Sequence, residues 1–95
     1  MTDLDEARRI VLDGLRAHAA RVWLFGSRAR GTAGRGSDID VAVLPERPLP
    51  PGVLQDIREA LESSRILYPV DLVDLTTAEP GLRETVLREG VPWTR

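Results

Sequence analysis

Gly26-Ser27, followed after ten residues by Asp38-Ile39-Asp40, joins residue types that can do chemistry at a spacing that lets them meet. The stretch from Val22 to Val43 reads as a short apolar strand, a loop rich in Gly and Arg, and a second apolar strand that opens on two acids. Residues i and i+2 of a strand project to the same face, roughly 6.6 Å apart along the backbone. Carboxylates placed like Asp38 and Asp40 can therefore converge on divalent cations. Mg²⁺ prefers such hard oxygen ligands, together with phosphate oxygens and water. Two such ions about 3.5–4 Å apart clamp the attacking and leaving oxygens of an in-line phosphoryl displacement. Gly26 lets the backbone approach a phosphate closely, and Ser27 offers a hydroxyl and an N–H. Arg28, Arg30 and Arg35 add three permanent cations in the same loop. Donors and cations on one side and metal-binding acids on the other outline a nucleoside triphosphate site. Each feature alone is ordinary surface decoration. The four fixed letters together arise by chance in a chain this long on the order of once in a thousand sequences.

The elements that must position these residues follow from periodicity. A helix is expected over residues 3–19, opened by a capping box of Asp3 and Glu6, with Leu4, Ala7, Val11 and Leu15 on its apolar face. His18, near its end, reads as a surface residue. Strands are expected over 21–25 and 38–44, with a short helical turn at 28–32 between them and Pro45 ending the second. Residues 45–52 hold four of the seven prolines and form a loop. A helix over 51–64 carries Val53, Leu54, Ile57, Ala60 and Leu61 as its stripe. Residues 70–75 read as a third strand containing Asp71 and Asp74. By period two these lie on opposite faces, so only one can join the site, and the pattern alone does not choose. A last helix over 78–89 would be capped by Thr76 or Thr77, pack Leu82, Val86 and Leu87 inward, and stop at Gly90. Val91-Pro92-Trp93 is expected to dock back on the core. The fold class is α/β (α+β), with a small mixed sheet of three to four strands flanked by helices.

Ninety-five residues make a single domain, 1–95, with one modest core and no part left over for an acceptor pocket. A net charge of −2 gives no basic footprint, so no direct nucleic-acid binding is expected. With no cysteine, disulfides and thiolate metal sites are excluded. No apolar run approaches the ~18 residues of a membrane span and no signal peptide is present, so a cytoplasmic location is expected. All thirteen basic residues are Arg, which removes a lysine phosphate ligand and Schiff-base chemistry.

Gly26-Ser27-Arg28-Ala29-Arg30-Gly31 and Ser37-Asp38-Ile39-Asp40-Val41-Ala42-Val43 resemble the signature of the minimal nucleotidyltransferases (MNT), small members of the DNA polymerase β-like nucleotidyltransferase superfamily. The resemblance implies a nucleotidyltransferase fold with a small central sheet. It favours Asp71 as the third acid, from its apolar setting, and leaves Asp74 as a turn residue. It makes Asp38, Asp40 and Asp71 the catalytic and metal residues, holding two Mg²⁺ ions, and Gly26, Ser27, Arg28, Arg30 and Ser37 the nucleotide-binding residues. The implied reaction moves AMP from ATP to an acceptor hydroxyl. Minimal nucleotidyltransferases of this kind are commonly encoded with a HEPN-domain ribonuclease toxin and act as its antitoxin, by binding it and by adenylylating a tyrosine. Two other functions fit the same residues. One is an antitoxin or nucleotide-binding scaffold that neutralises its partner without turnover. The other is a transferase for a small molecule such as an aminoglycoside. No aromatic or amide is obviously placed to read the nucleotide base.

Overall fold

The chain's structure, a computed structural model, describes residues 2–31 and 38–94. Its elements run α1 (Asp3–Gly14), β1 (Ala20–Phe25), α2 (Ser27–Arg30), β2 (Ile39–Pro45), α3 (Val53–Glu62), β3 (Val70–Asp74), α4 (Pro80–Glu89) and β4 (Val91–Pro92). The strands form one mixed sheet in the order β3-β2-β1-β4. β1 is antiparallel to β2 and to β4, and β2 is parallel to β3. The order of elements, the mixed α/β class and the sheet of three to four strands are those the sequence predicts, the fourth strand being the short tail β4.

The period-two pattern of the strands divides the sheet into two faces. Val22, Leu24, Ile39, Val41, Val43 and Leu72 point to one side and pack with Ala7, Ile10, Val11 and Leu15 of α1 and its exit and with Ile57 and Leu61 of α3. Trp23, Ala42 and Leu44 point to the other side and pack with Leu75 and Val86, the latter from α4. Each such aliphatic side chain taken fully from water contributes roughly 1.5–3 kcal/mol before entropy is counted. Val22, Ile39, Val41 and Val43 are wholly buried, so this pair of strands anchors everything attached to its ends.

Several ends differ from expectation. The N-cap of α1 is Thr2, one residue early, in a reciprocal box with Asp5, because Thr2 takes the extended conformation that a cap needs. The helix stops at Gly14, five residues short of 19, and Leu15 still buries its side chain. A Cβ at Gly14 would collide with Ile57, so glycine is what lets the end of α1 pack this closely on α3, and the chain then turns to bring Ala20 opposite Pro45. Pro45 is the last paired residue of β2, and Asp38 precedes the strand. Glu79 caps α4 without a side-chain bond, while Thr76 bonds the Asp74 carboxylate. Leu87, expected to pack inward, is 44% exposed. Gly90 is extended (φ −68°), and its lack of a side chain serves a close approach: a Cβ there would lie 2.6 Å from the Val86 carbonyl oxygen and 3.1 Å from Trp23. That approach lets the tail pair with β1 as β4. The Trp93 N–H then donates to the Val22 carbonyl at 2.8 Å, and its indole joins the α1/α3 core. Among the described residues no helix is long and apolar enough to cross a membrane.

Candidate active site at the open end of the sheet

The register sets Phe25, Asp40 and Asp71 side by side on β1, β2 and β3. By alternation this row lies on the same face as Ala42 and Leu44, with Phe25 packed against the cluster that Val86 of α4 joins. Asp38 stands two residues before Asp40 and so shares its parity; it is exposed, as is Asp71, while Asp40 is half-buried. Asp74 has the opposite parity, and its carboxylate accepts from the Thr76 N–H at 2.9 Å and the Thr76 hydroxyl at 2.7 Å. It closes the turn after β3. The two acids that the sequence pattern could not rank are thus separated by geometry: Asp71 lies beside Asp40 and Asp74 does not.

Gly26 is the hinge of the site. Its φ of 76° is a backbone conformation that side chains disfavour, and a Cβ built there would run into Oδ2 of Asp40. Only glycine lets the turn after β1 lie against that carboxylate. Immediately after it, Ser27–Arg30 form the single turn α2, ended by the left-handed Gly31. Of this turn, Gly26 lies against the Asp40 carboxylate, Arg28 reaches the Asp38 main chain, and the charge of Arg30 is felt at Asp40. Arg35 and Ser37 lie outside the described residues.

The charges are unbalanced. Burial, then the negative charges of Asp71 and Asp38, push the Asp40 carboxyl above the ordinary carboxylate range, and Arg30 only partly offsets them. Acids crowded around one half-buried carboxylate form a donor set of hard oxygens, which suits a divalent cation such as Mg²⁺. As the side chains stand, no three acidic, histidine or cysteine residues among the described ones are gathered into a metal-holding group. Arg28 Nε donates to the main-chain oxygen of Asp38 at 3.3 Å, and its guanidinium lies over the Tyr68 ring, 4.6 Å from the centroid.

Two openings flank the acid row. One, about 200 Å³, lies between α2 and α4 and is lined by Phe25, Gly26, Ala29, Arg30, Leu82 and Thr85 among others. The other, about 370 Å³, runs past Tyr68, Val70 and Asp71 along the free edge of β3. A larger cavity of about 590 Å³ between α1 and α3 contains none of the site residues and lies on the opposite face. Sequence reasoning missed Phe25 and Tyr68. Phe25 could have been found from its place at the end of β1, directly before Gly26. Tyr68 sits in a short irregular segment whose sequence carries no periodic signal.

Residues 15–92 match the family described as polymerase beta, nucleotidyltransferase. Two curated relatives are similar to the chain. One, from Haemophilus influenzae and named "Probable protein adenylyltransferase MntA", is 38% identical over 65 residues, covering 68% of this chain and 57% of the relative. The other, the protein adenylyltransferase MntA of Shewanella oneidensis, is 39% identical over 69 residues, 73% of this chain and 49% of the relative. The chain thus spans about half the length of the curated relatives it matches. Among solved structures, one named "Structure of putative minimal nucleotidyltransferase" superposes with a TM-score of 0.73 at 38% identity, covering 94% of this chain and 91% of that one. A toxin–antitoxin crystal structure with AMP-PNP gives 0.71 at 32% identity, covering 92% and 72%. A complex of tri-AMPylated Shewanella oneidensis HEPN toxin with MNT antitoxin gives 0.68 at 26% identity, covering 97% and 69%.

Proposed function

The chain belongs to the polymerase beta nucleotidyltransferase family, and from that premise we propose that it transfers AMP from ATP to a hydroxyl of a partner protein, as the antitoxin of a HEPN ribonuclease toxin. The observation that carries the reading is the placement of Asp40 beside Asp71 in strand register, with Gly26 closed against the Asp40 carboxylate. The similarity to the MntA adenylyltransferases and to toxin–antitoxin complexes supports the acceptor class.

The ATP triphosphate lies along the turn after β1, against Gly26 and Ser27, where Arg28 or Arg30 neutralises phosphate charge, with Ser37 as a further nucleotide ligand. Asp38, Asp40 and Asp71 would hold two Mg²⁺ ions, which when bound supply Lewis acidity at the α-phosphate and at the acceptor oxygen. The acceptor oxygen, a tyrosine hydroxyl of the toxin, attacks the α-phosphorus in line. A new P–O bond forms, the bond to the bridging oxygen of pyrophosphate breaks, and the hydroxyl proton goes to Asp71 where that carboxylate serves as base rather than as a ligand of the second ion. Most of the acceleration comes from positioning and from fixed charge. A cytoplasmic location accords with a substrate drawn from the ATP pool.

The test is label transfer. The protein is purified with its bound partner and given Mg²⁺ and ATP labelled at the α-phosphate, with Asp38→Ala/Asp40→Ala alongside. Label on a tyrosine of the partner with wild type alone is the expected result. A stable partner that takes no label would replace the proposal with neutralisation by binding, and no partner at all would point to a small-molecule acceptor.

A further inference from the structure

Arg28 ties together the three segments that carry the site. It belongs to the turn that follows Gly26. Its Nε donates to the Asp38 carbonyl oxygen at 3.3 Å, and its guanidinium carbon stands 4.6 Å from the centre of the Tyr68 ring. Tyr68 lies three residues before Asp71. The next residue, Pro69, accepts a hydrogen bond from the Ile39 N–H at 2.9 Å, which closes the ladder just ahead of the Asp40–Asp71 pair. One planar cation therefore touches the Gly-Ser turn, the Asp38 main chain and the approach to Asp71.

Tyr68 is built as a platform. It is half-buried and packs against the α1/α3 core, and the N–H of its neighbour Leu67 donates to the Asp3 carboxylate at 3.1 Å. The segment is thus held by α1 on one side and by β2 on the other. A guanidinium stacks on such a ring while its Nε donates in its own plane; an ammonium cannot do both. Arg30 occupies different ground. It lines the opening beside Gly26, and its charge is the one felt at the Asp40 carboxyl.

We propose that Tyr68 is a positioning residue that, by stacking under Arg28, holds Asp38 and the Gly-Ser turn in register with Asp71, which leaves Arg30 as the cation that meets the phosphates. The proposal rests on the nucleotidyltransferase reading and divides between two arginines a task that the sequence left to either. Positioning matters at this point because an active-site constellation needs its groups held within about 0.5 Å.

The experiment measures Mg·AMP-PNP affinity in wild type, Tyr68→Phe, Tyr68→Leu and Arg28→Lys, and the NMR resonance of the Arg28 Nε–H in the first three. Expected are affinity weakened about threefold to tenfold by Tyr68→Leu and by Arg28→Lys, and restored to within about twofold by Tyr68→Phe, which keeps the ring. Tyr68→Leu should also shift the Arg28 Nε–H resonance downfield as the ring current is lost, whereas Tyr68→Phe keeps it. In the double variant Tyr68→Leu/Arg28→Lys the two losses should not add, because they remove one interaction. Wild-type affinity in Arg28→Lys, additive losses, or an unmoved resonance in Tyr68→Leu would each overturn the proposal. Arg28→Lys leaves the core untouched, so the proposal can still fail on it even where Tyr68→Leu folds poorly. A wild type that binds no Mg·AMP-PNP sinks the nucleotidyltransferase reading instead, and the resonance still decides whether the pair exists.

Discussion

The two faces of the sheet are made of alternate residues of the same strands and have opposite characters. On the α1/α3 face, Val22, Ile39, Val41 and Val43 are wholly covered, and the row ends in apolar contacts on every side. On the other face Trp23, Ala42 and Leu44 pack with Leu75 and with Val86 of α4, Phe25 packs at the margin of that cluster, and Asp40 and Asp71 follow Phe25 in the row beside it. There a half-buried carboxylate sits among like charges that Arg30 opposes only in part. One face secures the strands, and the other uses that security to hold acids where isolated carboxylates would be driven apart. The stability of the first face is what lets the fold tolerate the electrostatic strain of the second.

The sharpest way to break the contrast is to remove charge from the open face. If the proposed function holds, Asp38→Asn should keep the fold and reduce AMP transfer by at least about a hundredfold in a steady-state label assay, since it removes the charge assigned there to metal binding. Ile39→Ala, one residue away but on the covered face, should do the reverse. It should cost about 2–5 kcal/mol in urea unfolding through the cavity it leaves, with catalysis intact in the folded fraction. Gly26→Ala joins the two effects, because it strains a left-handed backbone position and pushes on the Asp40 carboxylate. A loss of about 1–3 kcal/mol together with weakened nucleotide binding is expected from calorimetry on one sample.

The pH dependence of Asp40 sharpens the comparison further. Its carboxyl titrates above the ordinary range in the folded chain, so between those two values the folded state holds more protons than the unfolded state. Its contribution to stability therefore falls as pH rises through that window, and above it the charged carboxylate opposes folding. Asp40→Asn should melt higher than wild type at neutral pH, and the difference should shrink below the window. Mg²⁺ should raise the melting temperature of wild type more than that of the variant. The smallest effect belongs to the exposed pairs. Arg88→Ala, which removes contacts to Glu84 at 4.0 Å and Glu89 at 3.5 Å, should change unfolding free energy by less than about 0.5 kcal/mol.

Much of this arrangement is legible in the residues themselves. The apolar runs of β1 and β2 and the joint Gly-Ser and Asp-x-Asp spacing point to the candidate site, because the features are ordinary one by one and rare in that combination. What stays hidden depends on partners distant in sequence. Parity separates Asp71 from Asp74, yet only the register with β2 tells which one lies beside Asp40. The apolar face of α1 continues to Leu15, and that Gly14 must stay small at the crossing with Ile57 depends on a residue far along the chain. Two residues, Val91 and Pro92, are too few to announce a strand, and β4 exists because Gly90 lets the chain close on Trp23. Tyr68 shows the same limit, since nothing in its neighbours' pattern links it to an arginine forty residues earlier.

The most direct test of the contrast is a paramagnetic map. Mn²⁺ with AMP-PNP, added in place of Mg²⁺ to isotope-labelled protein, broadens the amide signals nearest the bound ions. Broadening that is strongest at Phe25, Gly26, Asp38, Asp40 and Asp71, with the α1/α3 helices spared, is the predicted result. Broadening centred on the cavity between α1 and α3, or none at any residue, would contradict the assignment of the chemistry to the open face.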